Sequence, residues 1–499
     1  MSSLDFIRVG TLRSVAAFRD ALRSLAIELP CDDAVPPSPH SSLSQPATVL
    51  GRSVGNRFCI QPMEGWDGTP DGRPSEHTFR RWRRFGASGA KLIWGCEAVA
   101  VRHQGRANPN QLLLTPRHAA DFSRLLEALL DAHHDAERSE GLAGASEPLV
   151  GLQLTHSGRF SRPNRHERAE PVIAYRHPIL DRRLGITDDN AVISDGEIRR
   201  LVDDYAGAAR LAKRCGFDFV DLKHCHGYLG HEILSAHTRP GDYGGSLANR
   251  ARFLRELVEA VRSEAPGLGI GVRVSAFDSV PFEPDAGRAA PGKLGPGIAS
   301  DHCACMPYLY GFGVDPEQPT EMDLTEPLQL LTMMRDLGVT FVNVTAGSPY
   351  YSHHLQRPAL YPPSDGYQPP EDPLVGVARL MHVARFIKER CPDLTIVGTG
   401  YTYLQEFLPN VAHAAVRDKW VDFVGIGRMA LAYSDLPRDV LAGRPLQRKR
   451  LCRTFSDCTT APRSGLVSGC YPLDAYYGSG EMRARLDAAK ARLRARLGG

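Results

Sequence analysis

The sequence predicts an α/β fold: a (β/α)8 TIM barrel with an N-terminal extension, an insertion after strand five and a short C-terminal extension. Three observations lead there. Eight short apolar runs, each long enough for a buried strand, are spread over residues 57–428. Longer stretches with apolar residues at i, i+3, i+4 and i+7 alternate with them, as βα units require. Polar residues stand at the C-terminal ends of several runs, where such barrels place their active sites. A doubly wound open sheet is the competing solution. The count of eight and the polar strand ends favour the barrel.

Taken in order, residues 1–47 read as an extension: a helix in "SVAAFRDALRSLAIEL", then a Pro- and Ser-rich linker, "PCDDAVPPSPHSSLSQPA". The barrel occupies 48–440. Its strands are expected at 57–63, 91–98, 149–156, 217–224, 269–276, 339–347, 394–400 and 421–428. "PRHAADFSRLLEALLDAHH" and "LANRARFLRELVEAVRSE" are two of the intervening helices. Segment 277–338 is too long for one loop and one ordinary helix, so it is expected to carry an inserted lid. Residues 441–499 form a Cys-containing extension ending in a helix.

Composition narrows the function. A formal charge of +3 over 499 residues argues against a nucleic-acid partner or an anionic membrane surface. No apolar run reaches the roughly 18 residues of a membrane span, and the N-terminus lacks the basic and apolar regions of a secretory signal. Eleven cysteines in so long a chain are no disulfide framework; free thiols in a reducing cytoplasm fit better. The expected partner is a small-molecule substrate. The N-terminal segment covers a barrel face or meets a second subunit, which leaves a homo-oligomer open.

Strand four ends in "VDLKHCHGYLGHEIL", residues 220–234. Lys223 and His226 are placed to donate to one small ligand, and Tyr228 to supply a proton. Two donors of this kind polarise a carbonyl or nitro oxygen. A polar cluster capping the next helix is the alternative. A metal site at His224, His226 and His231 lacks a carboxylate or cysteine pair at ligand spacing. "VGTG" (397–400) and "GIGRM" (425–429) end strands seven and eight, where barrels bind phosphate through glycine turns, here with Arg428 as a forked donor. Tight strand–helix turns would give the same glycines. Gln153 ends strand three and can read the edge of a planar heterocycle such as an isoalloxazine. Arg273, on strand five, can stabilise anionic charge or pair with Asp278 or Asp221.

These segments resemble the Old Yellow Enzyme family of NADH:flavin oxidoreductases. The resemblance covers roughly 48–440 and rests on "NRFCIQPM", "CEAVAV", "GLQLTHSGR", "HGYLGHEILSAHTRPGDYGGSLANRARF", "VRVSAFD", "VGTG" and "GIGRMAL". The long fourth segment is the most specific. The chain is similar to the branch related to 2,4-dienoyl-CoA reductase and trimethylamine dehydrogenase, without their C-terminal nucleotide-binding domains. The resemblance implies a non-covalent FMN held by Gln61, Pro62, Met63, Ala98, Gln153, Arg273, Gly400, Gly427 and Arg428. It implies NADH or NADPH as a transient reductant, and an activated C=C or related bond that is reduced, or formed in reverse. His226 and Lys223 would hold the substrate, and Tyr228 would protonate it. Loops 64–80 and 277–338 would set specificity, with Glu64 and Trp66 near the flavin.

Two features depart from the family. Lys223 stands where the family usually has His; its charge admits an anionic substrate and leaves open a flavin-free lyase or aldolase acting through a Schiff base. A non-catalytic ligand-binding barrel is the third reading. Cys452, Cys458 and Cys470 resemble the iron–sulfur motif of some relatives but are one thiol short of four. A remnant without metal is the expected state, with an iron–sulfur or zinc site the alternative.

Overall fold

In a computed structural model of the chain, which describes residues 6–141 and 146–498, the eight runs close into one parallel barrel. The strands are Phe58–Ile60, Leu92–Ile93, Leu149–Thr155, Phe219–Leu222, Gly269–Ser275, Phe341–Thr345, Thr395–Gly398 and Phe423–Ile426. Each pairs with its sequence neighbours, and the eighth pairs with the first. The first five residues of the N-terminal extension lie outside the described residues.

Side chains fill the barrel in layers, and the layers explain where the polar residues gather. At the N-terminal end of the strands, Val49, Val54, Leu92, Trp94, Phe219, Phe341 and Phe423 form an apolar plug. Val49 and Val54 come from the antiparallel hairpin Ala47–Val49/Arg52–Val54, which closes that end. Above the plug, Gln153 lies in register with Asp221, and Asn343 with Arg273. Asp221 is fully buried and accepts from Trp94 Nε1 at 2.7 Å, from Gln153 Nε2 and from the Arg273 backbone N–H at 2.7 Å. Burial pushes its carboxyl up to about 6, against the pull of these donors. The C-terminal mouth of the barrel opens above this polar layer.

Strand two departs from the expected 91–98. It stops at Ile93, and a short strand, Ala98–Ala100, resumes pairing with strand three. Gly95 (φ +156°) and Cys96 (φ +45°) make the break. Only glycine fits at 95, since a Cβ there would lie 2.7 Å from the Gln153 backbone nitrogen. The N-terminal helix also ends early. It runs Val15–Ser24, capped by Ser14, and Ala26 at φ +53° turns the chain away before Leu29. Its Phe18 stacks on Phe407 with centroids 4.5 Å apart, so the extension lies against the segment that follows strand seven.

Segment 277–338 folds into an antiparallel pair, Phe282–Pro284 with Gly297–Ala299, and the helix Thr325–Asp336. In the C-terminal segment, Asp457–Arg463 and Gly480–Gly498 are helical. Among the described residues no helix is long and apolar enough to cross a membrane.

Candidate active site

A cavity at the barrel mouth encloses about 1200 Å³ of non-atom space, part of it open to solvent. Gln61, Pro62, Met63, Gln153, Lys223, His226, Tyr228, Arg273, Gly400, Gly427 and Arg428 all line it. Ala98 does not: it is buried in the resumed part of strand two, beyond the break. His224 and His231 are buried outside the cavity; one meets the Leu222 carbonyl, and the other accepts from the Gly227 N–H at 2.9 Å.

The Lys223 end of the cavity, the expected substrate end, is built around Glu64. Lys223 Nζ donates to Glu64 Oε1 at 2.7 Å, and Tyr228 Oη donates to Glu64 Oε2 at 2.6 Å. Tyr228 also meets Tyr350 Oη at 2.9 Å, and Lys223 Nζ stands 3.9 Å from the Tyr228 ring centroid. The loop after strand one holds Glu64 in place. Gly65 N–H donates to Glu97 Oε1 at 2.6 Å, and Arg81 joins Glu97 to Asp67 beneath it. The backbone passes so close to Arg81 that a Cβ at position 65 would lie 2.0 Å from Nη2. Trp66 follows at φ +46°, a conformation a bulky residue adopts only when its surroundings enforce it.

His226 sits at φ +66°, within 3.2 Å of Thr345 Oγ1 and 3.4 Å of Gln356 Nε2. Burial, with Arg273 and Lys223 nearby, holds its imidazole well below the usual range, so the ring is neutral and can donate through one nitrogen. Burial and the Glu64 charge push the Tyr228 phenol well above its usual range. The lysine charge that the sequence left unmatched is therefore matched. Lys223 is engaged on two sides, which does not favour its use as a free amine nucleophile.

The opposite end is the reverse: cationic and unmatched. Arg273 Nε, Arg357 Nε and Nη2, and Arg428 Nη1 are buried and have no hydrogen-bond partner among the described residues. Arg273 does not pair through its side chain with Asp221 or Asp278; Asp278 accepts instead from Tyr351 and Ser352. Burial and the charges of Arg463 and Arg428 push Arg357 down to about 9. Such a cluster calls for an anion. Gly427 precedes the helix Arg428–Ala432, and Gly400 turns at φ +97°, so both glycines border this end of the cavity. Gln153 spends its amide on Asp221, which leaves its carbonyl oxygen for a ligand N–H. An anionic tail at one end and a planar hydrogen-bonding ring over the polar layer meet this donor set, and FMN has both.

Several wall residues escaped the sequence reading. Segment 277–338 contributes none; it packs behind the loop that follows strand six. That loop supplies Pro349, Tyr350, Gln356, Arg357 and Pro358. The C-terminal segment supplies Cys458, Thr459, Pro462, Arg463 and Ser468, and is stitched to the first-strand loop by Ser468 N–H to Gly65 O at 3.2 Å. Arg357 donates to Thr459 across the same seam. Cys452, Cys458 and Cys470 are free thiols, and among the described residues no group of three or more His, Cys, Asp or Glu side chains has the geometry of a metal site.

Residues 42–286 match the NADH:flavin oxidoreductase / NADH oxidase family. An NADPH dehydrogenase of Geobacillus sp. (strain WCH70) is 31% identical over 249 residues, 48% of this chain and 64% of the relative. One from Bacillus subtilis (strain 168) is 30% identical over 242 residues, 47% and 64% of the two chains. The matches thus span less than two thirds of these curated relatives. Among solved structures, a 2-naphthoyl-CoA reductase has a TM-score of 0.62 at 17% identity, covering 89% of this chain and 58% of that one. An Old Yellow Enzyme homologue from Zymomonas mobilis has a TM-score of 0.54 at 20% identity, covering 81% and 94%. These two likenesses establish the barrel fold that the chain shares with them.

Proposed function

We propose that the protein is an FMN-dependent oxidoreductase of the Old Yellow Enzyme type, using NADH or NADPH to reduce an activated C=C or related bond, or running the reverse oxidation. The observation that carries this reading is the set of unpartnered, buried arginine donors in a barrel-mouth cavity whose other end holds a Lys–Glu–Tyr network. Bound FMN would supply two-electron hydride chemistry. Arg428 with the Gly400 and Gly427 turns would hold its phosphate, and Arg273 and Gln153 its ring edge; Gln61, Pro62 and Met63 supply adjoining wall.

The remaining residues prepare the substrate. Neutral His226 donates to the electron-withdrawing group without bringing a competing charge. Lys223 reaches the same side of the cavity, and Tyr228 is the phenol placed to exchange a proton with the substrate carbon. The substrate is a small molecule. Glu64 cancels the Lys223 charge, so an anionic substrate group would find its counter-charge at Arg463, which now pairs with the exposed Asp365 at 2.9 Å, rather than at Lys223. Eleven unpaired cysteines support a reducing compartment, the cytoplasm.

The test is the visible spectrum of the purified protein, before and after anaerobic NADPH or NADH. Flavin absorption near ~450 nm that bleaches with either nucleotide is the expected result. A colourless protein that also fails to take up added FMN would overturn the reading.

A further inference from the structure

Tyr228 presents a difficulty that the proposed chemistry does not resolve by itself. Tyr228 is 1% exposed, and among the described residues its hydroxyl bonds to Glu64 and Tyr350. A proton given to a substrate must be replaced, and with a substrate in the cavity the phenol's remaining hydrogen-bonding neighbours are Glu64 and Tyr350. Its single hydrogen already points at Glu64 Oε2. Donating it elsewhere while Glu64 is anionic would leave a phenolate 2.6 Å from a carboxylate, two like charges in direct contact.

We propose that Glu64 is the proton carrier behind Tyr228, exchanging with solvent the proton that Tyr228 exchanges with the substrate. This rests on the flavin oxidoreductase reading above and adds a positioning residue to it. Glu64 is suited by placement: its side chain is 17% exposed, against 4% for Lys223, so it bridges the buried phenol and the open cavity. Its two oxygens face different partners, Lys223 and Tyr228, and both hydrogen bonds survive a change of protonation by moving one hydrogen. Tyr350, the other neighbour of Tyr228, is a phenol and carries no exchangeable charge near neutrality.

The step balances as follows. In reduction, bound FMN would supply the hydride for one alkene carbon, with NAD(P)H as the source of its two electrons. A new C–H bond forms at the second carbon as the Tyr228 O–H bond breaks. The Glu64 carboxylate takes up a proton from solvent, and that proton passes on as the Glu64 O–H bond breaks and the Tyr228 O–H bond re-forms, leaving the carboxylate again beside the Lys223 ammonium. Lys223 thus stabilises the charge that appears once the proton has left, and solvent reloads Glu64. In oxidation each proton moves the other way, and the carboxylate is the acceptor already hydrogen-bonded to Tyr228.

Glu64→Gln tests this, because glutamine keeps the shape and cannot carry the proton. The NADPH-reduced protein is mixed anaerobically with 2-cyclohexenone, and reoxidation is followed beside the NADPH-driven bleaching of the oxidised protein. The ratio of the two rates is expected to fall about 100-fold in Glu64→Gln, in the range of a lost acid–base group. Glu64→Asp, which keeps a protonatable group, is expected to recover at least about tenfold of that loss. Reoxidation of Glu64→Gln at the wild-type ratio overturns the proposal. Equal loss in Gln and Asp variants also overturns it, since shape alone would then explain the effect. A wild type that bleaches but is not reoxidised by the enone overturns it while sparing the flavin reading; a wild type that never bleaches removes both.

Discussion

The two ends of the cavity solve opposite electrostatic problems. At the substrate end every charge has a partner: Lys223 with Glu64, Glu64 with Tyr228, Tyr228 with Tyr350. At the anion end three guanidiniums converge and leave buried N–H groups unused. A buried polar group without a partner costs free energy, so the second arrangement persists for a ligand and the first works without one. The proposed proton relay is therefore preassembled in the chain, and the anion end would be completed by a ligand.

The comparison breaks most visibly at Tyr228. Tyr228→Phe removes the phenolic proton and leaves the anion end intact. Reoxidation by an enone is expected to slow about 10²–10⁴-fold, with FMN retained, as rapid mixing and the bound-flavin spectrum will show. Reoxidation at the wild-type rate would take the proton donor away from position 228. Arg428→Ala attacks the opposite end. Loss of a charge-assisted hydrogen bond of about 1.5–3 kcal/mol should weaken FMN binding roughly 10–100-fold, measured by quenching of free-flavin fluorescence. Undiminished affinity would mean that the phosphate lies elsewhere. A third variant crosses the division. Lys223→Ala leaves Glu64 without its cation and should weaken acceptor binding about tenfold while changing FMN affinity less. The reverse pattern would put Lys223 in the flavin site.

How much of this could be read from sequence follows the same line. The barrel was legible because each strand is a short apolar run and each connecting helix keeps its own period. Residues at strand ends were legible too, since strand register carries Gln153, Lys223 and Arg273 to the mouth. Strand two misled, because the positive φ angles of Gly95 and Cys96 come from packing against strand three rather than from a local signal. Ala98 consequently falls outside the cavity. The wall formed by Tyr350, Arg357 and Arg463 was not legible at all. Arg357 meets Thr459 across 102 positions and Glu64 meets Lys223 across 159, and nothing local in the sequence encodes such pairs. Glu64 was placed near the flavin only because it follows strand one, and its partners came from the fold.

The smallest expected effect concerns Arg357, and its sign distinguishes the two ends most sharply. Burial beside Arg463 and Arg428 lowers its folded-state value from 12.5 to about 9. Through that window the unfolded chain binds more protons than the folded one, so this group makes the ligand-free protein more stable as pH rises from about 9. Arg357→Met removes the group and should flatten that part of the stability curve relative to wild type, read from thermal unfolding of FMN-free protein between pH 8 and 10. It should also raise the ligand-free Tm near neutrality, because one of several neighbouring guanidinium charges is gone. With FMN bound the order should reverse, the variant losing the stabilisation that its lost anion contact gave the wild type. A variant less stable than wild type without ligand would mean that Arg357 is held by its seam to Thr459 rather than strained by its neighbours. The anion end would then be a structural joint between the sixth-strand loop and the C-terminal segment.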